Sequence, residues 1–144
     1  MESPSSIGFL GPIASLSHAQ RAAIKQFVRR HPRVECHHLD IVGAAVQFHK
    51  LCRELDVAWI KCHPPRDAGW RAYCDADETA RPLTTRARFA SFLAESDIVL
   101  ACPGADESGA SGTWRAIQFA VRQGAELCII WPNGLHEWHR SGGA

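Results

Sequence analysis

The sequence has almost no net charge to spend on a polyanionic partner. Its 16 Lys and Arg against 15 Asp and Glu leave +1 over 144 residues. The arginines are scattered, with only Arg29-Arg30 adjacent. No basic patch argues for nucleic acid or an acidic membrane surface. No apolar run approaches the length that spans a bilayer. The opening residues, MESPSSIGFLG, lack the basic-then-apolar order of a signal peptide. The six cysteines (Cys36, Cys52, Cys62, Cys74, Cys102, Cys128) lack the framework spacing of a small secreted protein. They are expected to be reduced and mostly buried, in a cytoplasmic protein.

Two kinds of chemistry lack their usual signatures. Cys36-His37-His38, His49-x-x-Cys52 and Cys62-His63 are rich in ligand types, but no Cys-x-x-Cys pair exists. Strand neighbours alternate faces, so no metal site is expected. Gly109-Ala110-Ser111-Gly112 is not a Gly-x-Ser-x-Gly elbow, and no His is placed as base for Ser111.

What remains is an ordinary globular composition, 46% hydrophobic and 22% charged, enough for one domain with a core. Its central stretch runs from Ser96 to Ala120. Ile98-Val99-Leu100-Ala101 is a short apolar run of the buried-strand type. Pro103-Gly104 stops it, and Gly109, Ser111, Gly112 and Thr113 lead into a helix. Unpaired N–H groups at a helix start attract anions, and glycines let the backbone approach them. Such a turn also needs its glycines and hydroxyls for backbone conformation and capping alone.

The rest alternates. Strands are expected at Ile7–Leu10, Val34–Leu39, Val57–Cys62, Asp97–Cys102 and Leu127–Trp131. Ser17 caps a helix to Arg30, Ala44–Leu55 carries an apolar stripe, and Thr84 or Thr85 caps a helix to Glu95. His63 to Pro82 is expected as a long polar loop, and Leu135 to Ala144 as a peripheral tail. Alternating strands and helices imply a parallel sheet covered on both faces. Ligands of such folds bind at the carboxyl ends of the strands. The loops at Gly11–Ser15, Asp40–Gly43, His63–Arg71 and Pro103–Thr113 all leave strands at that edge, which predicts one shared pocket.

Five motifs in these loops resemble the SLOG superfamily of nucleotide-binding proteins. They are Gly8-Phe9-Leu10-Gly11, the turn His38-Leu39-Asp40-Ile41-Val42-Gly43-Ala44-Ala45, His63-Pro64-Pro65 with Arg71-Ala72, Arg88-Phe89, and Ser111-Gly112-Thr113-Trp114. The resemblance is to a small single-domain branch. It implies a Rossmann-like three-layer sandwich around a five-stranded, mainly parallel sheet, spanning residues 1–144 as one domain. It also implies binding or sensing of a nucleotide-like small molecule at the carboxyl edge, and assembly into homo-oligomers. Cofactors are not called for. The ligand-binding positions carried over are Gly8, Gly11, His38, Asp40, Gly43, Ala44, His63, Arg71, Arg88, Pro103, Gly109, Ser111, Gly112 and Thr113.

The superfamily includes the LOG phosphoribohydrolases, which use an Arg and a Glu to cleave nucleoside monophosphates. Arg88 falls at the Arg position, but the Glu position holds Ala116. N-glycosidic hydrolysis needs a carboxylate, so an enzymatic alternative passes that role to Asp40, Asp106 or Glu107. A third alternative is an interaction subunit. Leu10, Leu39, Ile41, Ala45 and Phe89 replace polar or small motif residues and can fill the pocket. Trp114, at a helix start, is expected in the core rather than stacked on a base.

Overall fold

The computed structural model describes residues 4–104 and 112–140. The elements run β1 (Ser6–Leu10), α1 (His18–Arg29), β2 (Glu35–His38), α2 (Ala44–Glu54), β3 (Trp59–Cys62), β4 (Glu78–Thr79), α3 (Thr85–Ala94), β5 (Ile98–Ala101), α4 (Gly112–Arg122), β6 (Leu127–Ile130) and β7 (His136–His139). One seven-stranded sheet has the order β4-β3-β2-β1-β5-β6-β7. All pairings are parallel except β6 with β7.

The fold is α/β with helices on both faces, as expected, but the sheet has seven strands and not five. The two additions are edge strands. β4 lies inside the segment expected as a loop, and both its residues are exposed. β7 lies in the tail expected to be peripheral, and it is the polar run His-Glu-Trp-His. Neither carries the apolar pattern that marks a buried strand.

The central strands are buried on both sides, which is why they read as continuous apolar runs. On one face Ile7, Phe9, Cys36, Ile60, Leu100 and Cys128 pack against Ile24 and Val28 of α1 and Phe48 and Cys52 of α2. On the other, Leu10, Val99, Ala101, Leu127 and Ile129 pack against Phe92 of α3 and Ala116, Ile117 and Ala120 of α4. Trp114 is half-buried against this second cluster, its ring 5.4 Å from that of Trp131. All six cysteines are free, and only Cys74 is less than buried.

The helix starts follow local chemistry. Ser17 and Gln20 form a reciprocal capping box at α1, and Thr84 caps α3. Gln20 then does a second job. Its buried amide donates to the Pro103 carbonyl at 2.8 Å and the Ile130 carbonyl at 2.9 Å. Together with the Ser17 hydroxyl on the Pro132 carbonyl, 2.7 Å, it ties the start of α1 to the carboxyl ends of β5 and β6.

Candidate functional site

The strand order reverses between β1 and β5, since α1 and α2 lie on one face and α3 and α4 on the other. Open α/β sheets form their crevice at the carboxyl side of such a reversal. Here that crevice is bordered by Leu10-Gly11, Leu39-Asp40, His63 and Pro103. Leu10 and Leu39 are buried in the second core cluster, and Ile41 and Phe89 pack against it. Four of the five apolar replacements in the sequence motifs thus sit together. Ala45 is buried elsewhere.

The glycines of the motifs are explained by packing. A Cβ on Gly8 would run into Ser96 and the Phe92 ring, so Gly8 lets α3 lie close on β1. A Cβ on Gly11 would sit 2.7 Å from the Phe9 ring and 2.9 Å from the Ala44 Cβ. Gly43 has φ 105°, and a Cβ there would meet the Ile13 backbone. Gly43 is the N-cap of α2, without a side-chain bond. Ala44 is fully buried.

Asp40 instead anchors a strap. It has φ 53° and is buried, and its carboxylate accepts from Arg71 Nε at 3.2 Å and the Cys74 N–H at 2.9 Å. Its carbonyl accepts from the Ala72 N–H at 2.8 Å. Arg71 also lies over the Tyr73 ring, 4.4 Å from its centroid. The segment 70–74 is therefore held across the end of β2 by the Asp40 carboxylate together with backbone bonds from Ala72 to Asp40 and from Val42 to Trp70. Arg88 is buried too. Its Nε donates to the His63 carbonyl and its Nη2 to the Leu39 carbonyl, both at 2.8 Å. Burial lowers its pKa to about 10, against which Asp40 acts, so it stays a cation at neutral pH.

The histidines form two hydrogen-bonded pairs. The Asp40 N–H donates to His38 Nδ1 at 3.0 Å, so the His38 proton resides on Nε2, which faces His49 Nδ1 at 3.0 Å. His49 in turn bonds the Asp75 backbone. On the opposite face His37 Nδ1 and His63 Nε2 are 2.9 Å apart. Burial lowers His38 to about 3 and His63 to about 4, so both are neutral at pH 7.

Potential metal ligands do cluster: His38 with His49 and Cys62, His37 with His63 and Glu95, and His38 with Asp40 and Cys74. In the two clusters that include His38 the hydrogen bonds do not suit an ion. With Nδ1 accepting a backbone N–H, His38 offers no lone pair on Nε2. Glu95 is already held by Lys61 Nζ at 2.6 Å.

An open groove lies beside the crevice. It has a volume of about 600 Å³ between α3 and α4, within the range of small-ligand pockets. Phe89, Ala116 and Phe119 make its floor, and Arg86, Arg115 and Arg122 border it. α3 and α4 each precede a parallel strand, so both N-termini stand at the carboxyl edge. Neither first turn carries an acid. Thr85, Arg86, Gly112 and Arg115 form the mouth there. Among the described residues none of the three arginines makes an ion pair.

Of the ligand-binding positions carried over from the sequence, Gly112 is the one among the described residues that lines this groove. Thr113 is buried behind it, and His38, Asp40, His63, Arg71 and Arg88 build the adjoining scaffold. Asp106, Glu107, Gly109 and Ser111 lie outside the described residues. Arg86, Phe89, Arg115 and Phe119 were not legible as one site, because their meeting depends on how α3 packs against α4. A Cβ on Gly112 would have open space. Gly112→Ala is therefore expected to leave stability unchanged or raise it by up to about 1 kcal/mol, read from urea unfolding.

No family model matches the chain, and no curated protein does. Among solved structures it is similar to the molybdenum cofactor binding protein from the phototrophic bacterium Rippkaea orientalis. The TM-score is 0.68 at 16% identity, over 91% of this chain and 78% of that one. At that identity the likeness is one of fold. No helix among the described residues is long and apolar enough to cross a membrane.

Proposed function

We propose that this protein binds a small phosphate-bearing molecule of the nucleotide type at the carboxyl edge of its sheet, in the mouth of the α3–α4 groove. The observation that carries the reading is the composition of that groove. Two helix N-termini without acidic first turns and the Arg86 and Arg115 guanidiniums surround its mouth, above a floor of Phe89 and Phe119. Helix starts and arginine forks favour phosphate, and aromatic edges favour a flat ring. The resemblance of the sequence motifs to SLOG proteins agrees with this ligand class.

Binding is better supported than hydrolysis. Ala116 lies on the groove floor where the LOG enzymes have their Glu, and no acid lines the groove among the described residues. Asp40 is committed to Arg71 and the Cys74 N–H. A panel of nucleoside 5′-monophosphates is expected to raise the melting temperature and to give calorimetric binding. The double variant Arg86→Ala/Arg115→Ala is expected to weaken that binding by about ten-fold or more, the effect of losing two charge-assisted contacts. A panel without any response overturns the reading. It would favour the interaction subunit instead, for which the burial of Leu10 and Leu39 already speaks.

A further inference from the structure

The groove continues well past its mouth. Arg115 and Arg122 both border it and are seven residues apart on α4. At 1.5 Å per residue that is two turns, about 10 Å along one face. Between them lie Ala116 and Phe119, with Phe89 of α3 opposite, its ring 6.0 Å from that of Phe119 and tilted by 72°. The lining is thus cationic at both ends and apolar in the middle. Gln123 stands beside Arg122 at the far end.

We infer that the ligand is anionic at both ends. It carries one phosphate for the mouth at Arg86 and Arg115, a flat apolar body for the phenylalanine floor, and a second anionic group for Arg122 and Gln123. This rests on the binding reading above and specifies its ligand. A nucleoside 3′,5′-bisphosphate carries two phosphates on opposite sides of its ribose and a flat base beside them, and a nucleoside monophosphate lacks the second phosphate. Arg122 is exposed in the last turn of α4 and no acid lines the groove among its described residues, so an anionic far end meets a cation there and an ammonium does not. Arg122 also borders a smaller groove of about 320 Å³ on the other side of α4, but that one includes Glu137. Charge complementarity therefore directs an anion to the larger groove.

The probes are adenosine 5′-monophosphate and adenosine 3′,5′-bisphosphate, titrated calorimetrically into the full chain and into Arg122→Gln and Arg122→Lys. Arg122 is exposed, so both variants are expected to fold, with far-ultraviolet circular dichroism as the check. The bisphosphate is expected to bind about ten-fold more tightly than the monophosphate, the size of one added charge-assisted contact. Arg122→Gln should abolish that gain and leave the monophosphate Kd unchanged, and Arg122→Lys should keep part of it. Equal affinity of the two probes for the wild-type chain, or a gain that survives in Arg122→Gln, overturns the inference while leaving monophosphate binding intact. If neither probe binds, the binding reading fails and this inference fails with it.

Discussion

Replacing Arg88 with methionine is expected to lower the unfolding free energy by about 3 kcal/mol, from the loss of two hydrogen bonds made by a charged donor. Methionine keeps most of the apolar stem, so the change isolates the guanidinium. The His63 and Leu39 carbonyls, each now bonded at 2.8 Å, would be left at the buried ends of β3 and β2. A buried carbonyl without a partner costs its desolvation. Part of that cost is offset, because the cation itself no longer has to be buried. Arg88→Lys should fall between the two, since a single ammonium does not span both carbonyls as the planar fork does. Urea unfolding followed by circular dichroism measures the difference, with the slope m as the check that the transition stays comparable. A midpoint unchanged in Arg88→Met would show that the guanidinium does not brace the strand ends.

That role was not legible in the sequence, where Arg88 matched a ligand-contacting position. Sequence pattern reports the period of an element, and α3 gives little: its ten residues TRARFASFLA mix two arginines with Phe89, Phe92 and Leu93. Whether Arg88 or Arg86 faces inward follows from docking against β1, where Gly8 leaves room for Phe92. The tie from Arg88 to the ends of β2 and β3 joins residues 25 and 49 positions away, beyond any local pattern. Local chemistry, in contrast, was decisive wherever it acts over a few residues. Ser17, Thr84 and the apolar stripe of α2 placed the helices to within a residue or two of where they lie.

Asp40 shows the same division. Its place before a helix makes it a natural N-cap, yet the cap is Gly43. The chain from 40 to 43 turns through positive φ at both Asp40 and Gly43. That turn carries the Asp40 carboxylate away from the helix start and toward Arg71 and Cys74, residues 31 and 34 positions further on. The edge strands escaped for a related reason. β4 and β7 are exposed and polar, so their pairing rests on backbone hydrogen bonds that leave no trace in hydropathy. The candidate groove was half visible. Gly112 and Ala116 pointed toward it, but the arginine border required α3 and α4 to be seen side by side.

Mild acid is expected to destabilise this protein, by about 4 kcal/mol between pH 7 and pH 5 from two histidines alone. His38 is lowered to about 3, first by burial and then by the neighbouring His49, His63 and His37. His63 is lowered to about 4, again first by burial, with His37 and Lys61 in the same direction and Glu95 opposing. In the unfolded chain both titrate near the ordinary 6.5. Below that value the unfolded state binds protons that the folded state refuses, so stability falls as pH falls. Each histidine contributes a slope approaching about 1.4 kcal/mol per pH unit until its folded pKa is reached. His37 and His49, also lowered by burial, act in the same sense. Above pH 6.5 this contribution is fully present and the slope from these groups vanishes. His63→Gln keeps a polar group where Nε2 now meets His37 Nδ1 at 2.9 Å, but does not titrate. Its unfolding free energy, measured by urea at half-unit steps from pH 7.5 to 5, should show a slope smaller by about one proton than the wild type. The same slope in both would mean that His63 takes up its proton equally in the folded and unfolded states, and that its contact with His37 does not resist acid.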